Sequence, residues 1–251
     1  MCTASWLIRP DGYELFFNRD ERNERLRASG PRTLHVQGRA ALAPKDADAG
    51  GTWIGVNDCG VSIGLLNAWD VEAADVTQVS GGAGTPRSRG LLVQDLLAAD
   101  TQEAVRAQLV AMDLRRYRGF HLMAFAPGRE PVGHRWDGSE LQSSIVEPPL
   151  CSSSFDAGGV RLERSAQFRD LESRHGALDS ELLELFHASH SPERGPFSVC
   201  MHRADAATVS ATHIHVDKDV AQVRYADGPL CTQPFGEPAL LALHTGETAN
   251  P

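Results

Sequence analysis

The sequence predicts an α+β fold in which antiparallel sheets are covered by helices. Strand-like segments come in pairs joined by short turns, as in hairpins, and do not alternate singly with helices. Two groups of helix-like segments separate three groups of strands along the 251 residues. This length is sufficient for one domain with a large core. We therefore expect a single domain over residues 1–245 and a disordered tail over residues 246–251.

The strands of the first half are predicted to form two hairpins. Turn-forming residues at 9–12 and 57–60 lie between apolar, extended segments. The stretch between the hairpins, about residues 21–51, is polar and contains Gly and Pro, so we expect it to be mostly loop. The predicted strands are residues 3–8, 13–17, 52–56 and 61–67.

Helices and further strands follow. A Gly-, Ser- and Thr-rich stretch at 76–86 is expected to be a mobile surface loop. A helix begins near Ser88, and a second begins with a capping-box pattern at Asp100 and Glu103. The remaining predicted helices are residues 161–174 and 178–188. The remaining predicted strands are residues 119–125, 133–136, 197–203, 208–216 and 221–225.

Composition excludes several classes of function. The formal net charge is −9 and Lys and Arg do not cluster in the sequence, which argues against a nucleic-acid partner. The five cysteines are odd in number and widely spaced, so we expect no disulfide framework, no structural zinc site and a reducing compartment. The N-terminus has no signal-peptide pattern, and no apolar run approaches the roughly 20 residues of a membrane span. We therefore expect a cytoplasmic protein without a membrane span.

The first hairpin brings reactive side chains together. With a turn centred on 10–12, Cys2 lies opposite Arg19 and Asp20 at one end of the sheet. The equivalent register of the second hairpin puts Asn67 beside Gly50 and Gly51 at a strand end. A thiol, a guanidinium and a carboxylate thus meet at one sheet edge.

Position 2 gives Cys2 a second chemical property. Removal of Met1 would leave Cys2 with a free α-amine, which titrates near pH 8 and can act as a base for the thiol. Arg19 would favour the thiolate, Asp20 could orient the amine, and Asn67 could donate to an oxyanion. Each residue could instead have no catalytic role. Cys2 could be unreactive, the charged residues at 18–25 could simply be exposed to solvent, and Asn67 could mark the end of a strand.

These residues belong to a set of motifs that resembles the NRDE family, whose eukaryotic members are called transport-and-Golgi-organisation proteins. The motifs occur in order over the first half of the chain. They are Met-Cys at 1–2, NRDE at 18–21, GGTWIG at 50–55, GLLN at 64–67, SRG at 88–90 and Gly-Phe at 119–120. The resemblance weakens after about residue 125. The segment LCSSSF at 150–155 and His121 stand where the family pattern leads us to expect an Asn.

The resemblance implies an N-terminal nucleophile hydrolase fold, a four-layer αββα sandwich. More distantly the motifs resemble choloylglycine hydrolases and penicillin V acylase, which cleave linear amides through an N-terminal Cys. This implies Cys2 as the nucleophile, Arg19 and Asp20 as its support and Asn67 in an oxyanion hole. The reaction would hydrolyse a small amide or thioester through an acyl-enzyme, without a cofactor. The alternative is a non-catalytic protein that handles haem or acyl-lipid on the same fold.

Further residues are candidates for ligand contacts. Ser88 and Arg89, at a helix start, could bind a phosphate or carboxylate, or Ser88 could simply cap the helix. Trp53 and Trp69 flank the Asn67 hairpin and could pack in the core or form a ligand wall. Asn18 of the NRDE segment completes the set of predicted substrate contacts.

His213 and His215 would share one face of a strand. A metal or haem role and a polar outer face are both open for this pair, but the spacing provides no third ligand, so no metal site is predicted. The sequence leaves the oligomeric state open.

Overall fold

The computed structural model describes residues 2–69 and 87–244, which form two antiparallel sheets and flanking helices. The predicted loop at 76–86 and the predicted tail at 246–251 lie outside these residues. In chain order the strands are β1 (Cys2–Arg9), β2 (Gly12–Arg22), β3 (Ser29–Val36), β4 (Arg39–Lys45), β5 (Ile54–Asn57), β6 (Ser62–Asn67), β7 (Phe120–Phe125), β8 (Val132–Trp136), β9 (Leu141–Ile145), β10 (Leu150–Ser152), β11 (Ala206–Val216), β12 (Val220–Ala226) and β13 (Ala239–Ala242). The helices are α1 (Arg89–Leu96), α2 (Gln102–Ala111), α3 (Ala157–His175) and α4 (Ser180–Ala188), with a 3-10 turn at Leu114–Arg116.

The elements form four layers. The first sheet has the strand order β10-β1-β2-β11-β12-β13, and the second has the order β3-β4-β5-β6-β7-β8-β9. Apolar residues of β1 and β2, such as Ala4 and Phe17, pack between the sheets against β5 and β7. Helices α1 and α2 cover the outer face of the second sheet, and α3 and α4 cover that of the first. The predicted αββα arrangement is therefore present.

The predicted register of the first hairpin is confirmed, with Cys2 paired with Arg19. The second hairpin pairs Ile54 with Gly64, one residue away from the predicted register, and its ladder begins at β5. Gly50 and Gly51 therefore lie before the paired strand. Gly51 instead packs against the start of α1, where a Cβ on it would lie 2.2 Å from the carbonyl carbon of Gly90.

Several predicted elements were wrong. The expected loop at 21–51 contains the hairpin β3–β4, whose edge strand β3 is mostly exposed and so has a polar sequence. The expected strand at 197–203 is mostly irregular. The carbonyls of Phe197 and Val199 accept hydrogen bonds from side chains, and only an isolated bridge between His202 and Ala207 pairs the segment with β11. Helix α2 is capped by Thr101, one residue after the predicted cap. The short strands β9, β10 and β13 were not predicted.

Candidate active site

A cavity of about 290 Å³ opens where β1 begins and where β2 and β6 end, beside the start of α1. It brings together most of the side chains that the sequence nominated. Those lining it are Cys2, Arg19, Asp20, Trp53, Asn67, Ser88 and Arg89.

Cys2 lies between two neighbouring strands, paired with Arg19 of β2 and with Ser152 of β10. Ser152 belongs to the segment at 150–155 where the sequence departs from the family pattern. Burial raises the pKa of the Cys2 thiol, and the charge of Arg19 only partly opposes this effect. The thiol therefore needs a nearby base to become a nucleophile at neutral pH.

Arg19 is held by its neighbours. Its guanidinium lies 4.3 Å from the centre of the Trp53 ring, within the range of a cation–π contact. It also donates to a carboxylate oxygen of Asp46 at 2.8 Å. Asp46 accepts two further hydrogen bonds from Arg25, so the Arg19 side chain is fixed beneath the cavity.

Asp20 is anchored by partners from the second half of the chain. One carboxylate oxygen accepts from Thr208 at 2.7 Å, and the other lies 3.4 Å from the guanidinium of Arg164. Asp20 and Arg164 form an ion pair whose side chains are both fully buried. Arg164 also donates to the hydroxyl of Thr3, the neighbour of Cys2. Arg164 could not be predicted from the sequence, because only the tertiary fold brings α3 to this point.

Two glycines bring the start of α1 to the cavity. Gly51 and Gly90 touch backbone to backbone, and the Thr52 N–H donates to the Gly90 carbonyl at 3.0 Å. Ser88 is the N-cap of the helix and accepts from the Gly90 N–H, as the structural alternative for this residue predicted. Arg89 donates to the Gly119 carbonyl, and burial lowers the pKa of its guanidinium to about 10. The close approach of the glycines thus places Arg89 in the wall.

The wall of the cavity is rich in positive charge. Six arginines line it against three acidic residues, although the whole chain carries a net charge of −9. The acidic residues are Asp20, Glu21 and Asp46. The arginines are Arg19, Arg25, Arg87, Arg89, Arg116 and Arg118. Arg116 and Arg118 were not predicted from the sequence, because they lie between α2 and β7 and join the wall only through the fold.

Two nominated residues do not line the cavity. The side-chain amide of Asn18 is buried and donates to the backbone carbonyls of His187 and Val199, at 2.8 and 3.1 Å. It therefore links β2 to α4 and to the irregular segment after α4. Trp69 is 44% exposed and is absent from the lining, whereas Trp53 is buried and contributes to it.

His213 and His215 share one face of β11, as the alternation of the strand predicts, and this face of the first sheet is covered by helices. Both approach Glu14, at 3.1 and 3.9 Å, and His213 also stacks on Phe16. Burial opposes ionisation of Glu14, but hydrogen bonds from His213, Ser180 and Arg9 hold its pKa at about 2. The pair thus belongs to a partly buried polar network around Glu14, which agrees with the alternative of a polar outer face.

A potential metal-binding group lies outside the cavity. It contains two histidines and two cysteines from the irregular segment after α4 and the turn after β12. No metal site was predicted from the sequence, because its cysteines are odd in number and widely spaced. Among the residues that the structure describes, no helix has the length and apolar character needed to cross a membrane.

Comparison with known proteins supports the fold and the motifs. A family model described as Transport and Golgi organisation 2 matches residues 1–135. No curated protein matches the sequence.

Several solved structures are similar to this chain. Penicillin V acylase from Agrobacterium tumefaciens is 13% identical, with a TM-score of 0.56 over 91% of this chain and 84% of that chain. A variant of conjugated bile acid hydrolase from Clostridium perfringens is 13% identical, with a TM-score of 0.60 over 90% of this chain and 89% of that chain. A second variant of that hydrolase is 12% identical, with a TM-score of 0.55 over 94% of this chain and 96% of that chain. The predicted N-terminal nucleophile hydrolase fold is confirmed.

Proposed function

The chain belongs to the Transport and Golgi organisation 2 family, as its motifs predicted, and on this premise we propose that it is a cysteine N-terminal nucleophile hydrolase acting on a linear amide or thioester. One observation carries the proposal. Cys2 lines a cavity together with Arg19, Asp20 and Asn67, on a fold shared with penicillin V acylase and conjugated bile acid hydrolase.

The proposed reaction begins once Met1 has been removed. The free α-amine of Cys2 takes the thiol proton, and the sulfur attacks the substrate carbonyl carbon. The oxyanion of the tetrahedral intermediate accepts a hydrogen bond from the Asn67 amide. The carbon–nitrogen or carbon–sulfur bond then breaks, and the α-ammonium returns its proton to the leaving amine or thiol. Water hydrolyses the resulting thioester on Cys2 and regenerates the enzyme.

Arg19 and Asp20 act indirectly in this proposal. The charge of Arg19 lowers the pKa of the buried thiol, although burial is the larger effect. The carboxylate of Asp20, fixed by Thr208 and Arg164, would hold the α-ammonium in the correct position. The built-in amine supplies the base that the raised pKa of the thiol requires.

The charge of the cavity points to an anionic substrate. The excess of arginines over acidic residues disfavours a cationic ligand and stabilises a carboxylate or phosphate. The substrate class that fits is an acyl amide or acyl thioester with such a group.

The test is replacement of the nucleophile. Cys2→Ala is expected to lower kcat/KM by about 1000-fold or more for any amide or thioester that the wild type hydrolyses. The matched control is Cys59→Ser, which removes a half-buried thiol in the turn between β5 and β6 and should leave kcat/KM unchanged. Hydrolysis that survives in Cys2→Ala contradicts the mechanism. An intact mass that retains Met1 in the active enzyme contradicts the role of the α-amine.

The cavity also favours a second candidate function, a non-catalytic carrier of haem or acyl-lipid. Haem propionates and the phosphates of an acyl-CoA are anions that the arginines could bind, and the buried Trp53 offers an apolar surface. Optical titration with haem and calorimetry with long-chain acyl-CoA test this function. Saturable binding by both wild type and Cys2→Ala, with no turnover by either, would support the carrier over the hydrolase. The absence of saturable binding would refute it.

A further inference from the structure

A cluster of two histidines and two cysteines lies behind Asp20 on the first sheet's side of the molecule. The cluster consists of His190, Cys200, His202 and Cys231, and one ligand atom from each lies within 4.8 Å of all the others. The first three belong to the irregular segment that follows α4, and Cys231 belongs to the turn that follows β12. Cys200 is fully buried, and the other three are half-buried.

The two distances from His202 to the cysteine sulfurs match a tetrahedral metal site. The Nε2 atom of His202 lies 3.6 Å from the sulfur of Cys200 and 3.5 Å from that of Cys231. With zinc bonds of about 2.3 Å to sulfur and about 2.0 Å to nitrogen, a regular tetrahedron separates a nitrogen from a sulfur ligand by about 3.5 Å. His202 and the two thiols are thus already near the positions that a bound ion would impose, and the ligand atom of His190 lies within 4.8 Å of each of them.

His190 supplies a second, independent indication. Its Nε2 atom is buried and has no hydrogen-bond partner within residues 2–69 and 87–244. Its ring lies against the ring of His202, with 5.0 Å between the centroids. A buried imidazole nitrogen without a partner carries a desolvation cost, and coordination to a metal would remove that cost.

From this geometry we propose that the cluster binds one Zn²⁺ ion through all four side chains. Thiolate and imidazole ligands select zinc over Mg²⁺ and Ca²⁺, which prefer oxygen. Two thiolates and two neutral imidazoles cancel the charge of the ion, which suits a site that is partly buried. Four protein ligands leave no position for water, so the site is structural rather than catalytic.

One contact has to change when the metal binds. The exposed Arg194 guanidinium lies 3.3 Å from Nδ1 of His202 and donates to it. A metal on Nε2 requires Nδ1 to carry the proton, so Arg194 must then move away. Replacement of Arg194 by Ala should therefore preserve zinc binding or strengthen it.

The position of the site gives it a structural role near Asp20. The segment that carries Cys200 and His202 contains neither helix nor strand, and the ion would join it to the turn at Cys231. Met201, between the two ligands, donates its N–H to Thr208, which in turn donates to Asp20. Zinc would therefore stabilise the contacts of Met201 and Thr208 that hold Asp20 in place, whether or not the cavity is catalytic.

Metal analysis of the full chain, purified under reducing conditions from zinc-containing medium, tests the proposal. We expect about one zinc per chain in the wild type, in Cys59→Ser and in Cys2→Ala. Cys231→Ser is expected to bind zinc at least about 10-fold more weakly. Binding of zinc in Cys2→Ala separates this proposal from the proposed hydrolase, which depends on that residue.

A titration with the metal alone covers the possibility that Cys231→Ser folds poorly. Co²⁺ added to the reduced, chelator-treated wild type should give the intense visible and charge-transfer bands of a tetrahedral site with thiolate ligands, with an endpoint at one equivalent. A wild type that has only trace zinc and gives no such bands overturns the proposal. Isolation of a Cys200–Cys231 disulfide from the freshly purified, unreduced protein, with no zinc bound, overturns it as well.

Discussion

Arg164 connects Asp20 of the candidate active site to the irregular segment that follows α4. Its guanidinium is fully buried and reaches Asp20, Thr3 and two backbone carbonyls of the irregular segment, those of Pro196 and Phe197. A buried charge with this many partners gives a precise geometry rather than a large net stabilisation. Removal of one partner is costly because the other charge remains buried.

This arrangement predicts a large effect of Arg164→Met. The substitution leaves Asp20 without its buried cation, so we expect the free energy of unfolding to fall by about 3–5 kcal/mol. Urea denaturation measures the change. The double variant Arg164→Met/Asp20→Asn removes both charges and should recover part of the loss. A single-variant effect below about 1 kcal/mol would show that the pair does not govern stability.

The positive wall predicts a second effect at the scale of single residues. Arg118 lines the cavity, so Arg118→Gln removes one positive charge from it. We expect the Kd for long-chain acyl-CoA to rise about 10-fold, the effect of losing one charge-assisted contact of about 1.4 kcal/mol. Calorimetry at fixed ionic strength measures it. Arg115→Gln, at an exposed position outside the lining, is the control, and an equal effect of both variants would contradict a specific anion site.

At the scale of elements, the contact between the segment before β5 and helix α1 forms one side of the cavity. Gly51 touches the backbone of Gly90 and Leu91, so neither segment can move independently of the other. The helix start, with its cap Ser88 and the adjacent Arg89, takes its position from this contact.

Gly51→Ala is therefore expected to displace α1. The added methyl group would lie within 2.5 Å of three backbone atoms, which cannot rotate away as a side chain can. We expect a loss of stability of about 1–3 kcal/mol and weaker anion binding. Thermal unfolding and acyl-CoA titration measure the two effects. Gly158→Ala, at the start of α3 with only an ordinary contact at 3.8 Å, should leave both unchanged, and equal effects of the two variants would argue against a specific role of the Gly51 contact.

The elements also show what the sequence could predict. The pairing of Cys2 with Arg19 follows from a turn of known length, because a hairpin has only one free parameter, its register. The edge strand β3 escaped prediction because it is mostly exposed and its sequence lacks the alternation of a half-buried strand. The edge strand β13 escaped it because its four residues are all apolar, although their burial alternates. Arg164 and the cluster at His190 and Cys231 escaped it as well, because contacts between distant segments leave no local pattern.

At the scale of the whole molecule, the layered fold buries titratable groups between the first sheet and its helices. His187 of α4 is fully buried, and its Nε2 atom lies 2.8 Å from the hydroxyl of Ser5 on β1. Burial, together with the charges of Arg164 and His213, lowers the pKa of His187 to about 3. Glu14, on the same face, has a pKa of about 2. Folding therefore requires a neutral His187 and an ionised Glu14.

Both groups predict that stability falls in acid. Below pH 6.5, the ordinary pKa of histidine, the unfolded chain takes up a proton at residue 187 that the folded chain excludes until about pH 3. The contribution of His187 is thus complete above pH 6.5 and declines by about 1.4 kcal/mol per pH unit below it. Glu14 adds to the decline between its ordinary pKa of 4.5 and its folded value near 2.

Urea denaturation at intervals from pH 7.5 to pH 4.5 tests this prediction. The slope of unfolding free energy against pH is the informative quantity, because His187→Gln changes the absolute stability for reasons other than titration. Between pH 6 and pH 5 the slope in His187→Gln should be lower than that of the wild type by about 1 kcal/mol per pH unit. Equal slopes would mean that His187 is protonated in the folded state. The layer between α4 and the first sheet would then be open to solvent, since a buried imidazolium beside Arg164 would be too costly to maintain.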